Sequence, residues 1–199
     1  VDDTDGQPLV EKILDVAGQK GTGKWTAISA LEQGVPLTLI SEAVFARFLS
    51  AIKEERLVAS TQLSGPKPSF DVNREVFIQS VEKALFVAKI MSYAQGYQLM
   101  VAASETNNWK LNFGGIALMW RGGCIIRSHF LGKIKEAFDA NPSLKNLLLA
   151  PYFLKEVENG QQSLREVVCK GIEWGISLPC FSSAIAYYDG YRSAILPAN

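Results

Sequence analysis

Histidine and cysteine, the residues that most often bind transition metals or act as nucleophiles, are scarce in this sequence. Its 199 residues include one histidine, His129, and three cysteines, Cys124, Cys169 and Cys180. The cysteines lack Cys-x-x-Cys spacing, and their odd number does not suit a disulfide framework. The sequence therefore predicts no metal site, and we interpret the cysteines as reduced structural thiols in a reducing compartment. No second histidine or nearby acid accompanies His129, which favours a packing or surface role for it.

A net charge and a long apolar run are also missing. The 20 basic residues balance the 20 acidic ones, so the basic excess typical of a nucleic-acid-binding protein is absent. No apolar run approaches the ~20 residues that span a bilayer. The chain opens at Val1 on an acidic segment, not on the basic and apolar segments of a signal peptide. We expect neither a nucleic-acid partner nor a membrane, and the missing initiator methionine suggests a piece of a longer protein.

Alternating strand patterns and internal repeats are likewise absent, and helical periodicity dominates the chain. Apolar residues at helical spacing predict a first helix around Leu9, Ile13 and Val16. The segment 74–106 is apolar around most of its circumference, which indicates a central helix buried on several sides. Gly160 is read as an interruption between two later helices. The predicted fold class is all-α, with long central helices. The other helices are predicted at 24–33, 37–62, 124–140, 150–159, 161–174 and 179–195.

A glycine-rich loop, Gly18-Gln19-Lys20-Gly21-Thr22-Gly23, precedes the second predicted helix. With Lys24 it almost completes the G-x-x-x-x-G-K pattern of a P-loop. However, Trp25 stands where a Ser or Thr should bind magnesium, and no strand precedes the loop, which argues against nucleotide hydrolysis. Three glycines, a helix N-terminus and the donors of Lys20, Thr22 and Lys24 still suit an anion. A flexible capped turn explains the pattern equally well, so both interpretations stay open here.

Arg47 strengthens the anion interpretation. Its spacing from Ile40 and Val44 places it on or beside the apolar stripe of its helix, and no acidic residue stands three or four positions away. An inward-facing cation without a carboxylate is costly, and a bound anion would relieve that cost. A carboxylate from a distant helix would do the same, and Arg127 passes the same test, so the pattern is not specific.

Two further groups of side chains have simpler interpretations. The charged run Lys53-Glu54-Glu55-Arg56 is predicted to be a solvated helix face. The five aromatic residues between positions 93 and 120 are predicted to lie in the core and not to form a ligand cage. These are Tyr93, Tyr97, Trp109, Phe113 and Trp120.

Several runs resemble, in the right order, stretches characteristic of the 6-phosphogluconate dehydrogenase family. They are Ala17 to Thr26 (AGQKGTGKWT), Ser92 to Gly96, Asn112 to Ser128 (NFGGIALMWRGGCIIRS), and Tyr188 to Arg192 running on to Leu196-Pro197-Ala198-Asn199. The resemblance covers essentially the whole chain. It implies that residues 1–199 are the large all-helical C-terminal domain of that family, truncated at both ends and without the N-terminal Rossmann domain.

The resemblance also implies an activity. Members of the family oxidise 6-phosphogluconate with NADP and decarboxylate it to ribulose 5-phosphate in the pentose phosphate pathway, without a metal. It implies that Lys20, Thr22 and Arg47 bind the substrate phosphate, the same residues that the anion argument selects. Catalytic residues are expected upstream of Val1 and NADP in the missing domain, so none is assigned here and the chain alone is predicted inactive. A homodimer and a cytoplasmic location, or alternatively a plastid one, are implied as well.

Two other functions remain open from the sequence. A non-catalytic helical interaction module would leave Lys20, Thr22 and Arg47 pointing in unrelated directions. Another member of the wider β-hydroxyacid dehydrogenase group would share a helical second domain, but the K-G-T-G-K-W and A-L-M-W-R-G-G runs are not expected in it.

Overall fold

The computed structural model describes residues 4–197, and all of the regular structure in that range is helical. The all-α prediction is therefore confirmed. None of the described helices is both long enough and apolar enough to cross a bilayer. Val1 and the Ala198-Asn199 end of the last family-like run lie outside the described residues. The eight α-helices between residues 4 and 197 are α1 (Thr22–Gln33), α2 (Thr38–Ala51), α3 (Lys53–Gln62), α4 (Arg74–Thr106), α5 (Phe113–Met119), α6 (Leu131–Ala140), α7 (Pro151–Trp174) and α8 (Pro179–Tyr191).

Helix α4 lies at the centre of the fold, and its predicted bounds are confirmed at both ends. It begins at Arg74 because the Asn73 side chain accepts hydrogen bonds from the N–H groups of Glu75 and Val76, at 3.1 and 3.2 Å. Its second half is buried on several faces, as the apolar circumference predicts. Helices α1, α2, α7 and α8 all pack against it. Its buried apolar residues are Ala84, Val87, Ala88, Ile90, Met91, Ala94, Tyr97 and Leu99.

The first predicted helix and the long predicted helix 37–62 are wrong. The residues around Leu9 form only a 3-10 turn, Leu9–Lys12, and Leu9 and Ile13 are exposed. An isolated helix of that length is marginal in water, and without an apolar surface to pack on it does not form. The predicted helix 37–62 is divided at Ile52, whose backbone (φ −87°, ψ 52°) ends α2 and starts α3.

Three predictions in the second half of the chain are also corrected. Gly160 does not interrupt a helix, because α7 runs through it from Pro151 to Trp174. The predicted helix 124–140 forms only over Leu131–Ala140, and the helix predicted over 179–195 ends at Tyr191. Helix α5, Phe113–Met119, was not predicted.

The aromatic prediction is confirmed in part. Tyr97 is buried, and Tyr93, Phe113 and Trp120 pack partly buried against the main core. Trp109 is 55% exposed, so its assignment to the core is wrong.

Candidate phosphate-binding site

The glycine-rich loop leads directly into the first turn of α1. Helix α1 begins at Thr22, and its first recorded backbone bond is from the Trp25 N–H to the Gly21 carbonyl, at 2.9 Å. Gly21 takes the left-handed backbone (φ 108°) that glycine adopts most easily, and its N–H donates to Oε1 of Gln19 at 2.6 Å. Among residues 4–197, no side chain caps this end of α1. The N–H groups of its first turn are therefore left for water or an anion.

Glycine at position 23 lets this end of α1 approach α2 closely. A Cβ placed at Gly23 would lie 2.8 Å from Cγ2 of Val44, closer than side-chain atoms approach in real structures. Arg47 lies on α2 three residues beyond Val44, nearly one turn further along. The close packing of α1 on α2 thus brings Arg47 towards the loop.

Arg47 makes a direct contact with the loop. Its Nε donates a hydrogen bond to the carbonyl oxygen of Gly18. The side chain is exposed, so the argument that Arg47 is an inward-facing buried cation is wrong. Its position at the edge of the apolar stripe turns it towards the loop and not into the core. Within residues 4–197, the guanidinium has no recorded ion pair, and its two terminal nitrogens have no recorded hydrogen bond.

Lys20 and Thr22 lie on the same loop, and both are exposed. Thr22 is the first residue of α1, and its carbonyl accepts a hydrogen bond from Oγ1 of Thr26 at 2.7 Å. In the described part of the chain, no carboxylate pairs with Lys20. The loop that carries Lys20 and Thr22 is therefore in contact with α2, which carries Arg47. Among the described residues, no carboxylate neutralises Lys20 or Arg47.

Sequence reasoning missed the residues that fasten this loop. The Ala17 N–H donates to Oγ of Ser50 at 3.0 Å, and Asp15 pairs with Lys53 at 2.7 Å and with Arg56 at 3.2 Å. Lys53, followed by Arg56, lowers the pKa of Asp15 below its usual value. The predicted solvated face 53–56 therefore also carries two ion pairs, made by Lys53 and Arg56, whose side chains are 34% and 31% exposed. Their partners are about 40 positions away in sequence, so no local pattern indicates the pairing.

An apolar cleft of about 700 Å³ lies beside the loop, between α1, α4 and the segment before α6. Trp25 belongs to both features, because a Cβ at Gly21 would lie 3.3 Å from its ring. The cleft has few polar groups, so a sugar phosphate suits the loop better than the cleft. The larger side chains that line it are Trp25, Ile40, Tyr93, Tyr97, Met100, Trp120 and Ile126.

The other residues considered from sequence do not join this cluster. Arg127 and His129 are exposed on the segment before α6. Cys124, Cys169 and Cys180 are free thiols. Over residues 4–197, no group of three or more His, Cys, Asp or Glu side chains is arranged to hold a metal ion.

Comparison with known proteins gives a consistent family. The model of the 6-phosphogluconate dehydrogenase C-terminal domain matches residues 1–199. The decarboxylating 6-phosphogluconate dehydrogenase of Homo sapiens is 60% identical over 198 residues, which are 99% of this chain and 41% of that protein. The enzyme of the same name from Staphylococcus aureus is 58% identical over 197 residues, 99% of this chain and 42% of that protein. The chain thus spans about two fifths of the length of these curated relatives.

A solved structure supports the same assignment. Plasmodium falciparum 6-phosphogluconate dehydrogenase, described in its apo form, with its cofactor NADP+ and with its substrate 6-phosphogluconate, superposes with a TM-score of 0.90 at 40% identity. The match covers 100% of this chain and 43% of the Plasmodium chain. From its family model, its close relatives and its fold, the chain belongs to the 6-phosphogluconate dehydrogenase family, as its C-terminal domain.

Proposed function

We propose that this chain is the helical part of an enzyme that oxidises 6-phosphogluconate with NADP and decarboxylates it to ribulose 5-phosphate. Within that enzyme, Lys20, Thr22 and Arg47 bind the phosphate of the substrate. Two relatives carry the name of this decarboxylating dehydrogenase. NADP+ and 6-phosphogluconate are the cofactor and substrate described for the Plasmodium protein.

The hydrogen bond from Nε of Arg47 to the Gly18 carbonyl carries the proposal. It ties one nitrogen of the guanidinium to the loop and leaves the two terminal nitrogens for a ligand. Two parallel N–H groups match the spacing of two phosphate oxygens, which makes an arginine grip both strong and directional. A bound phosphate would therefore lie beside Gly18, next to the loop that supplies Lys20 and Thr22.

The electrostatics of the first turn of α1 add to this grip. A helix N-terminus has a partial positive charge and free N–H groups, and both favour a dianion. Lys20 adds a mobile cation and the Thr22 hydroxyl adds a donor. No carboxylate of residues 4–197 pairs with Lys20 or Arg47, so a phosphate would not have to displace an acid.

The catalytic and NADP-binding residues belong, in this proposal, to the rest of the enzyme. His129, the single histidine of the sequence, is exposed on the segment before α6. We assign no catalytic residue to this chain and predict that it is inactive alone. No metal takes part in the proposed reaction.

Titration of 6-phosphogluconate into the full-length protein tests the phosphate assignment. Arg47→Ala is expected to raise the Kd for 6-phosphogluconate about tenfold to a hundredfold, the effect of losing one charge-assisted contact. Arg74→Ala, which removes an exposed arginine at the start of α4, serves as the matched control and should leave the Kd unchanged. An Arg47→Ala protein that binds 6-phosphogluconate as tightly as the wild type would refute the assignment of Arg47.

We further propose that the protein is a homodimer that associates through the first half of α4. Ile78, Val81 and Leu85 are spaced three and four residues apart, so they share one helix face, and all are exposed, at 55%, 37% and 58%. An apolar face of this kind is typical of an interaction site. Leu85→Asp should yield monomers in sedimentation experiments, whereas Lys83→Asp, on the opposite side of the helix, should leave the dimer intact.

We also propose a cytoplasmic location, with the plastid as the alternative. The free thiols Cys124, Cys169 and Cys180 suit a reducing compartment. Fractionation of the source cells, followed by detection of the full-length protein, tests this proposal.

A further inference from the structure

The loop before α1 is fastened to the end of α2 by a cluster that has no part in phosphate binding as proposed. Arg56 of α3 is its centre. Its Nη2 donates to the backbone carbonyls of Asp15, at 3.0 Å, and of Ser50, at 3.1 Å. Its Nη1 donates to the Asp15 carboxylate at 3.2 Å. One guanidinium thus bridges Asp15, three residues before the glycine-rich loop, and the last turn of α2.

The break at Ile52 explains why the Ser50 carbonyl is available. In a continuous helix this carbonyl would accept a hydrogen bond from the backbone N–H of residue 54. Because α2 ends at Ala51 and α3 starts at Lys53, the carbonyls of the last turn of α2 need other partners. Arg56 supplies one of them. Its side chain is 31% exposed, and its Nε is buried without a partner among the described residues, so the terminal nitrogens hold it in place.

Ser50 links this cluster to the phosphate loop. Its Oγ accepts from the Ala17 N–H at 3.0 Å, while its carbonyl accepts from Arg56. One turn earlier on α2, Arg47 donates to Gly18, the residue after Ala17. Ala17, just before the glycine-rich loop, is therefore bound to Ser50, and Gly18, the first loop residue, is bound to Arg47, one turn earlier on α2. The direction of the Arg47 guanidinium is fixed relative to the loop only while that register holds.

We propose that Arg56 is a positioning residue for the phosphate site. It holds Asp15 and Ser50 together so that Arg47 and the loop keep the spacing that a phosphate requires. This inference rests on the proposed function, because it gives Arg56 a role only if Arg47 binds the substrate. Arg56 itself acts through backbone carbonyls and does not contact the ligand.

A purely electrostatic role for Arg56 makes a different prediction. Lys53 carries the same charge and pairs with the same carboxylate, Asp15, at 2.7 Å, but makes no hydrogen bond to a backbone carbonyl of the described residues. If phosphate binding depends on the positive charge near the loop, removing Lys53 or Arg56 should weaken it equally. If it depends on the bridge between the two backbone carbonyls, only the removal of Arg56 should weaken it. Lys53 is therefore the matched control.

The experiment measures the Kd of 6-phosphogluconate in the full-length protein. Arg56→Met is expected to raise it about tenfold, the scale of one lost charge-assisted contact. Arg56→Lys is expected to fail as a rescue, because an ammonium cannot span both carbonyls and the carboxylate as the planar guanidinium does. Lys53→Met should change the Kd less than about twofold, as is usual for an exposed pair. In an Arg47→Ala background, Arg56→Met should not raise the Kd further, because the guanidinium that Arg56 positions is already missing.

The other outcomes distinguish an error in the proposed phosphate site from an error in the proposed role of Arg56. If Arg47→Ala leaves the Kd unchanged, the proposed function of the site is wrong. If Arg47→Ala weakens binding but Arg56→Met does not, or if the two losses simply add, Arg56 is not a positioning residue. Equal losses in Lys53→Met and Arg56→Met would also overturn the inference, in favour of charge alone.

A second variant covers the case in which Arg56→Met does not fold. Ser50→Ala removes only the Ala17 hydrogen bond and leaves the Ser50 carbonyl in place. It is expected to raise the Kd about threefold, the effect of a single neutral hydrogen bond, and to have no effect in the Arg47→Ala background. An unchanged Kd in Ser50→Ala would overturn the proposed positioning role of Arg56.

Discussion

Gly160, in the middle of α7, lies directly against Val87 of α4. A Cβ built on Gly160 would overlap Cγ2 of Val87 and would lie 3.4 Å from the carbonyl oxygen of Lys83. Val87 is only 1% exposed, so its side chain has little room to move. The glycine therefore sets how closely the two longest helices approach each other.

This contact predicts that Gly160→Ala destabilises the protein although alanine is the better helix former. Overpacking a rigid core costs about 1–3 kcal/mol, whereas the gain in helix propensity is about 1 kcal/mol. Thermal unfolding of the full-length protein measures the balance. Gly132→Ala in α6, where no atom of the described residues lies within 4 Å of an added Cβ, should be neutral or stabilising. A Gly160→Ala protein as stable as the Gly132→Ala protein would contradict the prediction.

Gly21→Ala is predicted to weaken the binding of 6-phosphogluconate. Position 21 has φ 108°, and an added Cβ would also press on the Trp25 ring, so the loop must shift to admit alanine. The left-handed region costs a non-glycine residue about 1–2 kcal/mol. Gly34 caps the other end of α1 with φ 64°, and no atom of residues 4–197 lies within 4 Å of a Cβ added there. Gly34→Ala should lower the unfolding temperature similarly but leave the Kd unchanged, and equal Kd values for both variants would refute the prediction.

Gln95→Leu is predicted to destabilise the junction between α4 and α2. Gln95 is fully buried, its Oε1 accepts from the Leu39 N–H at 3.0 Å, and its Nε2 donates to Oγ1 of Thr38 at 3.0 Å. The leucine would leave a buried backbone N–H at the start of α2 without a partner, which costs about 1–3 kcal/mol. Thr38→Ala, which keeps the bond to Leu39, should cost less. A comparison of urea unfolding curves checks this order, and the reverse order would contradict it.

The stability supplied by Asp189 is predicted to be lost in acid. Arg165, bound to it at 2.5 and 2.8 Å, and then Arg192 hold the pKa of Asp189 at about 2, below the ordinary value of an aspartate. Since the folded pKa is the lower one, the contribution is complete above about pH 4 and disappears as the pH falls through the folded pKa. The difference in unfolding temperature between wild type and Asp189→Asn should therefore narrow on going from about pH 7 to about pH 3.

A weakly held carboxylate provides the control for that titration. Asp71 is 70% exposed and lies 3.8 Å from Lys170, so Asp71→Asn should change the unfolding temperature little at any pH. If the difference in unfolding temperature between wild type and Asp189→Asn stays constant from about pH 7 to about pH 3, the charge of Asp189 does not contribute to stability.

Local sequence signals were enough to predict a helix where its ends are set by residues within or next to it. The bounds of α4 follow from the Asn73 cap and from an apolar pattern long enough to be unambiguous. Helix α1 also formed close to its predicted range, with Gly34 in the left-handed conformation at its C-terminal end. The failures lie where no local signal exists. Ile52 is an ordinary apolar residue that continues the helical pattern, yet the helix breaks there.

The candidate site divides in the same way. Lys20, Thr22 and Arg47 could be selected from sequence because a glycine loop, a helix start and an unpaired cation are local patterns. The expectation that Arg47 is an inward-facing cation is wrong, however, since its side chain is exposed and contacts the loop. Asp15, Ser50 and Arg56 could not be selected, because their contacts join positions 6 to 41 residues apart.

The sequence by itself determined the all-helical class, the family and the extent of α4, since these depend on composition, motif order and the periodicity of one segment. Tertiary structure decided that Gly160 is a packing contact, that α2 ends before Ile52, and that Arg56 bridges the loop to α2. The physical reason is that side-chain volume and hydrogen-bond satisfaction are decided between elements. The free energy of a break or a close approach depends on what the neighbouring helix offers, and that information is not contained in any one segment.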